Sequence, residues 1–533
     1  MRAGSSGFRP GVWAVLLAAA GLQWAYVCTG APPVTWDDAW YLETSYRLFD
    51  ALKAGPLRFL SEYVHAFQIK APLIALLPLP LYLLSGKNLL GALFANTLCL
   101  LALGWYASRI ARRFYGDAAG VLAALTLNTF PLVYGLSRRF YVELPLALLV
   151  AAWMHHLLAS EGLRRKRQNT ALGVLLGLGL LMKVLFPLYA FCPTAVYLWD
   201  RRRAGGLPPA RELESAAKRI LGIGAAIALT WYASNWLTAV GFAFRAGLGD
   251  AGAVFAGPVR VFSLADRLRY LHAAAAQGVS WYYAAAGGLL LLYWAAARRD
   301  LLERLRALAR DEAFRFLSAW IVPPLLFFSF QTAGELRYAA PLLPAAAVAL
   351  AGGLLVPLSR VRWSPLWTAL FFLLPLDLYA HHAFGRSLLP HPGSYAYNEP
   401  RRGEPAWDLP GLLDGLAGLQ GGRGGTPTVA VGIEHPALNA NRLSCLAAQR
   451  GVPLRFIHLG DAQDSVEKAL IRLREKDAAY ALVFDGVPAS ELPIPFNRVN
   501  AGFRKALDAG RLGFRLKRAF PLGDGVQATL YER

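Results

Sequence analysis

The feature that most constrains this chain is a series of apolar runs near helix-spanning length, recurring from residue 11 to about residue 384 and then ceasing. With 56% hydrophobic and only 17% charged residues, a soluble enzyme, a disordered scaffold and a coiled coil are all excluded. The formal net charge is +21. In a chain this apolar, that excess reads as Lys and Arg gathered in cytoplasmic loops against anionic membrane, with no nucleic-acid partner. Cys28, Cys99, Cys192 and Cys445 form no C-x-x-C pair, so the sequence holds neither a local disulfide framework nor a zinc knuckle.

Basic clusters set the expected topology. Segments 1–11, 109–117, 161–170, 200–219, 298–315 and 359–364 carry 23 Lys and Arg in 74 residues. Segments 31–87, 137–142, Lys183, 240–279 and 332–337 carry 13 in 110, so the first set is placed inside and the second outside. The run 72–84 is short and broken by Pro78 and Pro80. Counting it as a span would put Arg109, Arg112 and Arg113 outside, so it is read as a juxtamembrane or re-entrant helix. The stretch 172–199 has basic runs on both sides and is read as two short spans turning near Lys183.

The result is an α-helical polytopic membrane protein of about eleven transmembrane helices: 12–30, 88–108, 118–136, 142–159, 171–183, 185–199, 219–239, 280–297, 316–331, 338–357 and 365–384. It is expected in the plasma (inner) membrane with its N-terminus cytoplasmic. The transmembrane domain is taken as 1–385, with 31–87 as its first outer loop, and the Gly- and Pro-rich stretch 386–427 as a linker. Residues 428–533 read as a small α/β extracytoplasmic domain. Its β-type runs fall at 428–432, 454–459, 479–484, 514–521 and 527–532, and its helical patterns at 437–450, 463–476 and 497–510. The last two strands are joined by the turn signal Gly523-Asp524-Gly525.

The chemistry-bearing residues gather on the outer side. Asp37 and Asp38 follow the first span directly, among Trp36, Trp40 and Tyr41. An aspartate there can act as a general base or a metal ligand; it can equally cap an interfacial helix whose aromatics form a membrane belt. Lys70 precedes the proline-broken run at headgroup depth, either snorkelling or holding a phosphate. Arg138 and Glu143 mark the mouth of the fourth span, Lys183 the turn between two short spans, and Arg337 with Tyr338 the start of the tenth. Ionisable residues at span entrances are functional candidates by default.

In this order the motifs resemble those of the polytopic GT-C glycosyltransferases, above all the branch of the protein O-mannosyltransferases and the transferases that add aminoarabinose to lipid A. Asp37-Asp38-Ala39-Trp40-Tyr41 is similar to the opening of that branch's first outer loop, and Lys70-Ala71-Pro72-Leu73 to its Lys-Pro-Pro-Leu, with Ala71 departing. Arg138 with Glu143, the Gly-rich span ending in Lys183, and Arg337-Tyr338 followed by Pro341 and Pro344 complete the likeness, which covers roughly 12–385.

The resemblance implies transfer of a sugar from a polyprenyl-phosphate carrier to an acceptor (protein, lipid or glycan) outside the membrane, by inverting displacement. Asp37 would be the base, with Asp38 or Glu143 orienting the acceptor or supporting it. Lys70, Arg138, Lys183 and Arg337 compete for the lipid phosphate, with Tyr41 and Tyr338 beside it, and the run 72–84 would lie along the lipid. No cofactor and no metal are demanded; a carboxylate pair would suit Mg²⁺ only with a nucleotide-sugar donor, which is cytoplasmic. The alternative, a lipid or sugar transporter or flippase, calls for mid-span charges and broken helices in repeated halves. This sequence shows charges at span ends and no repeat.

Overall fold

The computed structural model describes residues 10–30, 34–248, 263–296, 301–331, 334–355, 364–391, 395–398, 405–419, 426–460 and 464–533. The basic stretches 1–9, 298–300 and 359–363, used above to set the topology, lie outside the described residues.

A helix stands at each of the eleven expected places, and the protein is a multi-pass membrane protein. Among the described residues, four helices are by themselves long and apolar enough to cross a bilayer: Pro10–Cys28, Leu89–Tyr115, Ala210–Gly247 and Leu336–Gly353. Leu89–Tyr115 begins where the Asn88 side chain accepts from the Gly91 N–H, and it ends at Gly116, whose φ of 88° stops the helix. The expected third span is a bent pair, because Pro131 starts a new helix where it lacks a hydrogen-bonding N–H. Asp117–Asn128 and Pro131–Ser137 meet at 65°. The remaining places hold helices below that length or hydropathy, so eleven spans stands as a topological proposal.

Within 34–87, Thr35 precedes the helix Trp36–Ala54, which places Asp37 and Asp38 in its first turn. The run 72–84 is two short helices, Leu73–Leu76 and Leu79–Ser85, split at Pro78. The glycines of 173–183 have a packing role. A Cβ on Gly173 would stand 2.8 Å from that of Ile223, and one on Gly177 would stand 2.5 Å from that of Ile227. Helix Lys166–Met182 therefore lies backbone-close on Ala210–Leu248, the small-residue contact favoured in membranes, and Lys183 is set at its end.

The C-terminal region folds as a five-stranded sheet: β1 (Thr428–Val431), β2 (Arg455–His458), β3 (Tyr480–Asp485), β4 (Arg515–Gly523) and β5 (Val526–Glu532). The order is β2-β1-β3-β5-β4, with β1 parallel to β2 and β3, and β5 antiparallel to β3 and β4. Helices cover both faces. Leu443 packs on one with Val431 and Leu482, and Leu473, Val499 and Phe503 pack on the other. Within 386–427, the structure forms a helix, Leu409–Leu416, whose buried leucines join the first of these two cores. The domain docks on the helix that carries Asp37: Trp36 Nε1 donates to Glu434 Oε2 at 2.9 Å, and Asn441 Nδ2 to the Trp36 carbonyl at 3.2 Å. Lys87 Nζ donates to the Ala448 carbonyl at 2.7 Å, and Cys445 packs into the core of the helical unit.

Candidate active site

Asp37, Lys70 and Arg337 come from three separate parts of the chain and meet at one carboxylate. Lys70 Nζ lies 3.1 Å from Asp37 Oδ1, and an Arg337 terminal nitrogen lies 2.8 Å from Oδ2. Lys70 also donates to the Tyr41 hydroxyl at 3.2 Å, and its ammonium sits 4.7 Å from the Trp40 ring centre. Burial opposes the ionised form of Asp37, but Lys70 and then Arg337 outweigh it and hold the carboxyl well below the ordinary carboxylate range.

Asp38 behaves differently. It is 2% exposed, its nearest cation is Arg139 at 3.7 Å, and its Oδ1 is buried without a hydrogen-bond partner among the described residues. Burial is the larger effect here, and the Asp38 carboxyl is pushed up to about 6. Two adjacent carboxylates are thus driven apart in basicity by the cations each faces, an arrangement typical of sites that divide acid–base tasks.

The second half of the cluster is Glu143, Lys183 and Tyr338. Lys183 Nζ bonds Glu143 Oε1 at 2.8 Å and lies 4.0 Å from the Tyr338 ring centre. Arg337 joins the halves, since its Nε is 3.7 Å from Glu143 Oε1 and also pairs with Glu335. Glu143 Oε2 is buried and unpartnered among the described residues. Lys70, Glu143, Lys183, Arg337 and Tyr338 form the polar side of a partly open cavity. Its apolar wall is Ala239, Phe242, Ala243 and Ala246 of Ala210–Leu248, with Met182 and Leu185. The run 72–84 is absent from that wall apart from its approach at Ala71; instead, Ile74, Ala75, Leu79 and Tyr82 are buried in the helical core.

Of the residues singled out from sequence, Asp37, Asp38, Tyr41, Lys70, Glu143, Lys183, Arg337 and Tyr338 are brought together. Arg138 is not. Its guanidinium lies 4.1, 5.0 and 4.8 Å from the ring centres of Tyr26, Tyr134 and Tyr379, and the next residue, Arg139, faces Asp38 instead. Sequence reasoning also missed Tyr141, whose ring lies 4.9 Å from the Arg337 guanidinium, and Tyr397, which packs on it. Nothing in the local sequence marks Tyr397, which falls in the Gly- and Pro-rich stretch.

Residues 69–206 match the family described as dolichyl-phosphate-mannose-protein mannosyltransferase, a segment that holds Lys70, Glu143 and Lys183. Over almost the whole chain the structure is similar to ArnT from Cupriavidus metallidurans bound to undecaprenyl phosphate, with a TM-score of 0.62 at 14% identity, covering 98% of this chain and 97% of that one. The chain has the GT-C glycosyltransferase fold. The apo state of the same ArnT gives a TM-score of 0.60 at 15% identity, with the same coverage of 98% and 97%. The apo oligosaccharyltransferase of Archaeoglobus fulgidus, a second GT-C protein, gives 0.52 at 14% identity, covering 90% of this chain and 70% of that one. No curated protein sequence matches the chain.

Proposed function

We propose that this protein moves a sugar from a polyprenyl-phosphate carrier to an acceptor on the outer face of the membrane. The observation that carries the reading is the Asp37 carboxylate clamped between Lys70 and Arg337, where those two cations, with Glu143 and Lys183, edge a cavity that also has an apolar wall. A lipid phosphate needs cations for its head and an apolar surface for its chain, and this cavity supplies both side by side. Undecaprenyl phosphate in the ArnT structure supports the same donor class.

The proposed reaction is a single displacement. An acceptor heteroatom attacks the anomeric carbon from the face opposite the phosphate. The carbon–oxygen bond to phosphate breaks, its electron pair stays on the phosphate, and the acceptor's proton passes to a carboxylate. Lys70 and Arg337 stabilise the charge developing on the leaving phosphate. Asp37 is the base. Without donor, its two oxygens are occupied by the same two cations and it is a weak base. A phosphate arriving at those cations shares their charge and raises the basicity of Asp37, so the base strengthens when donor is loaded. Asp38, kept nearer neutral pH, supports it with a free Oδ1, and Glu143 offers a second unpartnered oxygen to the substrates.

The test is transfer from a sugar-loaded polyprenyl phosphate by the purified protein. Wild type should release polyprenyl phosphate, and Asp37→Asn should lose about two orders of magnitude or more. Normal transfer by Asp37→Asn would remove Asp37 as the base. Absence of release by wild type, with carrier moved across a vesicle bilayer instead, would favour a transporter.

A further inference from the structure

Four residues beyond the last expected span return to the site. Asn398 is buried and donates through Nδ2 to the Pro131 carbonyl at 2.7 Å, so tightly against Gly135 that a Cβ there would stand 2.7 Å from that nitrogen. The Ala396 N–H reaches Gln277 Oε1 at 3.3 Å, and the Tyr395 ring lies 4.7 Å from that of His382. Between these three attachments stands Tyr397, with φ of 68°. A tyrosine rarely adopts that left-handed conformation, and a residue held so is a candidate for function. The conformation presents its ring edge-on to Tyr141, with centres 5.6 Å apart. Tyr141 in turn lies under the Arg337 guanidinium and beside Tyr41.

The geometry of the donor decides what this aromatic pair meets. In a polyprenyl-phosphate sugar, the phosphate lies between tail and sugar. If the phosphate rests on Lys70 and Arg337 and the tail follows the apolar wall at Phe242 and Ala246, the sugar must project from the other side of the cations. Neither Tyr141 nor Tyr397 lines the cavity; Tyr141 lies against the Arg337 guanidinium and Tyr397 packs on Tyr141. Tyr141 is 7% exposed, whereas Tyr397 is only partly buried. We infer that Tyr397 is a substrate-positioning residue, its ring packing on the sugar of the donor beside the Asp37–Arg337 pair. Pyranose C–H groups suit a π face, and an aromatic ring holds them at small cost in side-chain freedom.

The inference rests on the donor reading above, and two probes separate the two. Binding of undecaprenyl phosphate and of undecaprenyl-phosphate-linked mannose is measured on the full chain in nanodiscs. Tyr397→Gly removes the ring and suits φ of 68°, which offsets the packing lost against Tyr141, so the variant should fold. It should bind the bare carrier as wild type does and the mannose-bearing carrier roughly tenfold more weakly. Tyr397→Asn, which also tolerates the left-handed region, should repeat that selective loss. Tyr397→Phe should keep both affinities. Equal affinity of wild type for the two carriers, equal weakening of both in the Gly and Asn variants, no weakening of either, or loss in Tyr397→Phe would overturn the role. Failure of wild type to bind undecaprenyl phosphate at all would overturn the donor reading itself.

Discussion

The sharpest consequence of the clamped carboxylate is that Asp37→Asn should bind donor phosphate more tightly while ceasing to transfer. In the wild type, Asp37 and an incoming phosphate compete for Lys70 and Arg337. The carboxylate contacts are 3.1 and 2.8 Å, so a phosphate oxygen on the far side of either cation would sit about two such contacts from Asp37. Two unit charges about 6 Å apart at an effective dielectric constant near 20 repel by about 3 kcal/mol. Removing the Asp37 charge relieves that repulsion, so affinity for bare undecaprenyl phosphate should rise about ten- to a hundredfold. Transfer should fall at least a hundredfold in the same protein. Direct binding in nanodiscs of neutral lipid at fixed ionic strength reads the first effect, and product formation reads the second. A purely structural Asp37, which keeps Lys70 and Arg337 in place, predicts the opposite sign. Weaker carrier binding by a folded Asp37→Asn protein would refute the competition.

Lys70→Ala should weaken donor binding about ten- to a hundredfold, as expected for loss of a charge-assisted phosphate contact. Arg138→Ala should leave donor affinity unchanged yet lower the melting temperature, because three tyrosine rings lose the guanidinium packed among them. An acid limb is expected in kcat/KM near pH 6. The Asp38 carboxyl is raised above its unfolded value, so it is protonated below about 6 and its support of Asp37 is lost as pH falls through that value; Asp38→Asn should abolish the limb. The same shift makes Asp38 a cost to stability, growing as pH rises from its ordinary value toward about 6, so Asp38→Asn should gain thermal stability at pH 7 relative to pH 4. For topology, a cysteine at Ser465 in a background lacking Cys28 should react with an impermeant thiol reagent in intact cells and one at Ser215 should not. The reverse would put Asp37 on the inner face.

Much of this molecule is legible along the chain because local periodicity and local breakers determine local structure. The apolar runs mark a helix at each of the eleven places, since no other single segment satisfies its backbone in lipid. The β and α runs of 428–533 appear in the expected order, and Gly523-Asp524-Gly525 joins the last two strands. Most members of the polar cluster carry a mark of their own, as ionisable groups at span ends. Tertiary structure alone decided who faces whom. Arg138 and Arg139 lie in the turn that follows the short helix Pro131–Ser137, so the choice between them turns on how packing sets that helix and its turn. Asp37 and Arg337 are joined across 300 residues of sequence, the cavity wall comes from Ala210–Leu248 rather than 72–84, and Tyr397 reaches the site from a stretch that reads as linker. Each of these depends on long-range packing, where a residue's partners are set by the arrangement of whole helices and leave no period or motif in its own neighbourhood.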